Sequence, residues 1–407
     1  MISKTLYNLP KEVKFCKECL MSNQRPSSYP EFRHTKERKG ARYLNFDENG
    51  VCDACNACKE KNNIDWQDRE NKLLKLLERY RSSNNSYDCI VPGSGGKDSA
   101  YQSHVLKYKY GMNPLTITWS PIIYTDYGYE NWKNWLDEGG FDNILIKSSG
   151  RVMKKLTKLS IENLLHPFQT FFYGQKNLIP KIAAKLNIPL IFYGENEAEY
   201  GNPIADNSSS LRDKSYWAAD NLDEIYIGGA SLKELEEVHN LTIKDLHNFI
   251  PAIDKEFDKI DLQIHYLGYY LRWTPQEAYY YAVQNTGFKA RPYRSQATYS
   301  KYSSIDDKID DLHYYTTRVK FGLGRASYDA SQEIRNKHIT RDEGKALVAK
   351  FEDEFPDKYF SDIMEYLDID PEYFHKHCDK FRPDHLWKKI NNTWKLRHNV
   401  NMTGTDD

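Results

Sequence analysis

The sequence predicts an α/β protein whose parallel sheet carries helices on both faces. Two observations predict it. First, short apolar runs at Tyr87–Val91, Leu115–Trp119, Asn143–Ile146 and Leu190–Tyr193 alternate with helix-like stretches. Strands that are apolar on both faces and separated by helices belong to a parallel sheet buried on both sides. Second, the first run ends in Pro92-Gly93-Ser94-Gly95-Gly96, and a helical pattern starts at Lys97 and runs to about Tyr110. A glycine turn between a strand and a helix is where such sheets hold ligands.

Length and composition set the frame. At 407 residues the chain exceeds one ordinary core and suits two or three domains. Three regions separate: residues 1–62, rich in cysteine; 63–230, alternating strands and helices; and 231–407, mostly helical. The formal net charge of −1 argues against a broad electrostatic grip on nucleic acid. No apolar run approaches the roughly 20 residues that span a bilayer, so no membrane insertion is expected. The first residues lack the apolar core of a signal peptide, and the expected location is cytoplasmic.

The helical elements follow from periodicity and capping. Leu73, Leu74, Leu76 and Leu77 form an apolar stripe between Arg69 and Tyr80, and further helices are expected near 151–165 and 174–187. In the C-terminal region, Ser231 to Glu234, Thr274 to Glu277 and Thr340 to Glu343 each read as a capping box. Asp370-Pro371 starts another helix.

Ser94-Gly95-Gly96-Lys97-Asp98-Ser99 is the strongest chemical signal. Glycines let backbone N–H groups approach a phosphate, and the following helix N-terminus adds partial positive charge. Lys97 adds a full charge, Ser94 and Ser99 offer hydroxyls, and Asp98 can hold Mg2+ or orient the loop. The order is neither a Walker A loop, which places Ser or Thr directly after its Lys, nor a dinucleotide fingerprint. A second piece, Gly194-Glu195-Asn196-Glu197, follows the strand at Leu190–Tyr193 and is expected beside the loop, with Glu195 or Glu197 as an oxygen ligand to Mg2+.

Cys16-x-x-Cys19 and Cys52-x-x-Cys55 form two knuckles. Four thiolates in two such pairs suit tetrahedral zinc, which would hold together a segment with little apolar pattern of its own. An iron–sulfur cluster is the rival occupant. Cys58 is a spare that can replace Cys55, Cys89 reads as a core residue in its strand, and Cys378 stands beside His375 and His377 on a polar helix.

The order Ser-Gly-Gly-Lys-Asp-Ser resembles the PP-loop of the N-type ATP pyrophosphatases, which grips the pyrophosphate part of ATP. Within that class the chain resembles the N-acetyl sugar amidotransferases of pseudaminic-acid and O-antigen sugar biosynthesis. The resemblance rests on Cys16-Lys-Glu-Cys19-Leu-Met-Ser22, Gly50-Val-Cys52-Asp-Ala-Cys55, the stretch Pro92 to Ser99, and Lys320-Phe-Gly-Leu-Gly-Arg325-Ala-Ser327. It implies an ATP-, Mg2+- and zinc-dependent enzyme. Lys97 and Asp98 would be catalytic. Ser94, Gly95, Gly96, Lys97, Asp98, Ser99, Gly194 and Glu195 would bind the nucleotide, with Trp119-Ser120 at its adenine. Cys16, Cys19, Cys52 and Cys55 would bind the metal.

The implied reaction turns an acetamido group into an acetamidino group through an adenylated imidate. Its ammonia would come from a separate glutaminase subunit, because this chain shows no glutaminase motif. The acceptor is an N-acetylated sugar, expected to be anionic, with Lys289, Arg291, Arg294 and Arg325 as candidates for its charge. Two other readings compete: a tRNA-modifying enzyme with the same loop, which should show a basic face and working cysteines, and a non-catalytic zinc-bearing interaction protein.

Overall fold

The computed structural model describes residues 5–38, 40–84, 86–194, 202, 209–253, 257 and 260–401. Its main sheet contains β1 (Cys89–Pro92), β2 (Pro114–Trp119), β3 (Asn143–Ile146), β4 (Leu190–Tyr193) and β5 (Gln263–Tyr266). The helices of eight residues or longer are α1 (Asp53–Lys61), α2 (Trp66–Tyr80), α3 (Lys97–His104), α4 (Asp126–Asp137), α5 (Gly150–Leu164), α6 (Ile179–Leu186), α7 (Pro275–Thr286), α8 (Lys308–Phe321), α9 (Arg325–Arg335), α10 (Arg341–Phe351), α11 (Phe360–Leu367) and α12 (Pro371–Asp379).

The strands lie in the order β3-β2-β1-β4-β5, and each pair is parallel. The expected fold class is therefore the observed one. Alternate residues of β1 feed two cores: Cys89 and Val91 meet Leu73 and Leu77 of α2, while Ile90 meets Ile179 and Ala183 of α6. This period-two split is what a strand covered on both faces requires. The chain leaves β1 toward β2 on one side and returns as β4 on the other, so the crevice beyond β1 and β4 is a topological switch point.

The sheet does not stop at the expected boundary of 230. Its fifth strand is Gln263–Tyr266, pairing with β4 from Leu190↔Gln263 to Tyr193↔Tyr266. That strand is short and includes two polar residues, Gln263 and His265, so no apolar run announced it.

The cysteine segment does not stand alone either. Cys16, Cys19, Val51 and Cys52 share one core with Phe321, Leu323, Leu386 and Trp387, so its packing is supplied by the C-terminal region. A larger core joins α5 to α8, α11 and α12 through Leu156, Ile309, Leu312, Ile363, Phe374 and Cys378. Cys378 is thereby a packed core residue. Two of the three expected capping threonines and serines act as such: Thr340 forms a full capping box with Glu343, and Ser231 accepts from the Glu234 N–H. Thr274 makes no side-chain cap, leaving Pro275 at the first position to open α7.

Candidate active site at the β1 loop and a four-cysteine centre

The loop after β1 is shaped by close backbone approach. Gly95 has φ +83°, and a Cβ there would lie 2.6 Å from the Trp132 Cα of α4 and 2.8 Å from the Asn131 carbonyl oxygen. Only glycine lets the loop sit this close to α4. Gly96 is the N-cap of α3, and a Cβ added to it would meet nothing nearer than Ser94 Oγ at 3.8 Å. Its open side belongs to the wall of a cavity of about 240 Å³, which Ser94, Lys97 and Asp98 also line. Asn131, Phe171, Phe288 and Asp310 complete that wall.

Lys97 is 6% exposed, and its Nζ donates to both carboxylate oxygens of Asp98 at 2.7 and 2.6 Å. The same two residues line a second cavity of about 310 Å³. Its walls come from the cysteine segment, through Met21 and Arg25, and from the C-terminal helices, through His313, Tyr328, Asp329 and Arg335. The glycine loop thus faces one cavity, and its charged pair borders both.

Ser99 turns inward, its Oγ donating to the Gly96 carbonyl at 3.0 Å, and so braces the turn. Gly194 stands at the end of β4, beside β1, with its carbonyl accepting from the Gly268 N–H at 2.8 Å. Glu195 and Glu197 lie outside the described residues. Trp119 does not face either cavity: it is 3% exposed and stacks edge-on with Phe249 in the core. Ser120 Oγ donates to the Pro121 carbonyl at 3.1 Å.

The basic residues expected to meet an anion are committed to carboxylates instead. Lys289 pairs with Glu130 at 2.6 Å, and Arg294 grips Glu354 with two nitrogens at 2.6 and 2.5 Å. Arg325 and Arg291 are buried and converge on Asp311 at 3.3 and 3.8 Å. Nearby acids strengthen the proton's hold on Arg325 against its burial. Sequence spacing could not show these pairings, since Asp311 and Glu354 reach the arginines only through folding. The residues missed altogether are Arg25, Arg335, Tyr328 and Asp329. The run Ser303-Ser-Ile-Asp306-Asp307-Lys-Ile-Asp310-Asp311 was the one available signal for this wall.

The four knuckle cysteines come together as expected. Their sulfurs all lie within 4.8 Å of one another, with Cys16 and Cys55 3.8 Å apart and Cys19 and Cys52 3.6 Å apart. Four thiolates on one tetrahedral zinc, at about 2.3 Å each, would sit about 3.8 Å apart. The donor set therefore fits a single ion, whereas a cubane binds each thiolate to a different iron and spreads them further. Backbone N–H groups of Glu18, Met21 and Cys52 point at these sulfurs at 3.3 to 3.5 Å. Cys58 is not among the four; its Sγ donates to the Arg335 carbonyl at 3.2 Å.

The parallel sheet, the glycine loop at its switch point and the four-cysteine centre define an α/β protein with a cluster of four thiols that could hold a metal ion. Residues 296–401 match the family described as LPS biosynthesis protein WbpG-like, C-terminal domain. That match covers the segment forming most of the larger cavity and supports the resemblance to the O-antigen sugar amidotransferases. No curated protein matches the chain. Among solved structures, the U34-tRNA thiolase NcsA from Methanococcus maripaludis, with its 4Fe–4S cluster, is similar over 81% of this chain and 95% of its own, at 12% identity and a TM-score of 0.28. That likeness is too loose to carry an inference about this chain.

Proposed function

We propose that this protein is an ATP-dependent amidotransferase of lipopolysaccharide sugar biosynthesis. The observation that carries the reading is the position of Lys97 and Asp98 between two cavities. The cavity on the glycine-loop side would take ATP, with its phosphates against Gly95, Gly96 and the α3 N-terminus. The larger cavity, walled by the WbpG-like segment, would take the acceptor, an N-acetylated sugar.

In that arrangement the acetamido oxygen attacks the α-phosphorus of ATP. A C–O–P linkage forms and pyrophosphate leaves, giving an adenylated imidate. Ammonia then attacks the imidate carbon, the C–O bond to AMP breaks, and the amidine keeps the proton released by nitrogen. Both steps place negative charge on phosphoryl oxygens, where loop N–H groups and Lys97 stabilise it. Mg2+, held through Asp98 with Asp306 or Asp310 as a further carboxylate on that wall, would supply further charge neutralisation. Zinc in the four-cysteine centre would be structural: it would tie the segment bearing Met21 and Arg25 into the acceptor wall. Ammonia would come from a separate glutaminase.

The test supplies ATP, Mg2+, ammonium and a panel of N-acetylated nucleotide and nonulosonic sugars. Release of AMP and pyrophosphate together with replacement of one sugar oxygen by NH, seen by mass, is the expected result. AMP release dependent on tRNA would replace this reading with a tRNA-modifying one. ATP binding without turnover, even with glutaminase added, would leave a non-catalytic nucleotide-binding protein.

A further inference from the structure

Behind the larger cavity lies a buried cluster of polar side chains that the reaction above does not use. Glu31 and His34 come from the cysteine segment, His166 follows α5, and His313 belongs to α8. Glu31, His34 and His166 are 7%, 9% and 8% exposed. One oxygen of Glu31 lies 3.6 Å from His34 Nδ1 and 3.9 Å from His166 Nε2, just beyond hydrogen-bond distance. The His166 ring stacks on that of His313 at 4.8 Å between centroids. His313 in turn lines the cavity that holds Lys97 and Asp98.

Four atoms in this cluster meet no hydrogen-bonding partner among the described residues: Glu31 Oε2, His34 Nε2, His166 Nδ1 and His313 Nδ1. Buried polar atoms are normally paired, so four unpaired in one cluster leave hydrogen-bonding capacity for small polar partners. A resident metal ion does not fit. Among the described residues only the four cysteines bring three or more metal-binding atoms within 4.8 Å of one another. Lys176, whose Nζ is 3.6 Å from the other Glu31 oxygen, adds a positive charge that a cation would have to face.

Arg38 adds to that field at His34 and His166. Burial is the larger influence, and it holds both imidazoles in the neutral form. The same field disfavours ammonium relative to ammonia. Neutral imidazole nitrogens and a carboxylate oxygen are acceptors for its N–H groups.

We infer that the Glu31–His34–His166–His313 cluster is the ammonia site, which strips a proton from ammonium, holds the neutral nitrogen and passes it by His313 into the cavity at Lys97 and Asp98. This rests on the amidotransferase reading. Ammonium gives one proton to Glu31, whose hold on a proton burial strengthens, and the ammonia left behind keeps the lone pair that forms the new C–N bond. The cluster's proton returns to solvent with the products.

The apparent KM for ammonium chloride, at saturating ATP and acceptor, tests the inference in Glu31→Gln, His166→Gln and His34→Asn. An increase of about tenfold or more is expected, with the KM values for ATP and acceptor within about twofold of wild type. An unchanged ammonium KM in any two variants that melt like wild type overturns it, as a structural water cluster would predict. A second measurement needs no turnover: melting in ammonium chloride against tetramethylammonium chloride at equal ionic strength. Wild type should be stabilised by ammonium, and Glu31→Gln should not be. Equal melting of wild type in both salts overturns the inference. If wild type makes no amidine from any acceptor yet shows the ammonium effect, the amidotransferase reading falls and the ammonia site stands.

Discussion

Lys97 Nζ is held by the carboxylate of its own neighbour, Asp98, at 2.7 and 2.6 Å, and the pair lines two cavities. A lysine neutralised in this way is stored. In the proposed reaction, an anionic phosphate chain for Lys97 together with a cation for Asp98 would let the pair part without either charge losing a partner.

Substitution should therefore act on turnover more than on fold. Lys97→Met or Asp98→Asn should lower pyrophosphate release on the order of 10²–10³-fold, the usual effect of removing one preorganised charge from a transition state. Circular dichroism should report the wild-type fold. Near-normal pyrophosphate release by Asp98→Asn would remove Asp98 from the mechanism.

Arg325 should matter for stability rather than for binding an anion. It is 1% exposed and shares Asp311 with Arg291. Arg325→Leu removes the nearer of the two guanidinium partners of a buried carboxylate and should cost about 3–5 kcal/mol in urea unfolding. If Arg325→Leu leaves stability intact and raises only the acceptor KM, the sequence expectation of an anion-gripping arginine returns.

Stability should also fall toward alkaline pH. Burial pushes Asp307 and Asp310 up to about 8 and about 7 from an ordinary 3.8. For Asp307, N–H groups from Ile309 and Ile122 oppose that shift, and for Asp310 the Arg325 guanidinium does. An acid whose pKa is higher folded than unfolded binds its proton more tightly in the folded state. Its contribution is complete below the unfolded pKa and is lost as pH rises through the folded value. Melting temperature should decline up to about pH 8, and Asp310→Asn should flatten the part near pH 7. A wild-type melting temperature that rises over this range would contradict the burial argument.

Metal analysis should find one ion per chain, bound by Cys16, Cys19, Cys52 and Cys55. Cys52→Ser should release it and loosen the cysteine segment from Phe321 and Trp387, which protease digestion would detect. Cys58→Ser should retain the metal, since its sulfur is directed at the Arg335 carbonyl. Zinc predicts a colourless protein; visible iron–sulfur absorption would overturn the single-ion geometry.

The sequence alone determined the features that depend on near neighbours. Strand β1, its glycine loop and α3 are contiguous, so apolar pattern and glycine placement specify them together. The two Cys-x-x-Cys turns likewise present paired thiolates through local geometry, and four thiols at that spacing read as one metal centre before any fold is known. Tertiary structure decided everything that needs distant segments to meet. Gln263–Tyr266 is a strand because β4 offers it a parallel edge, not because its own residues alternate. Arg325 is an internal counter-ion because Asp311 lies one helix away, and Trp119 is a core residue because Phe249 covers it. Glu31, His166 and His313 are each unremarkable in sequence. They become a cluster because the cysteine segment, α5 and α8 close on one another, and burial then turns three ordinary side chains into a set of unpaired hydrogen-bonding groups.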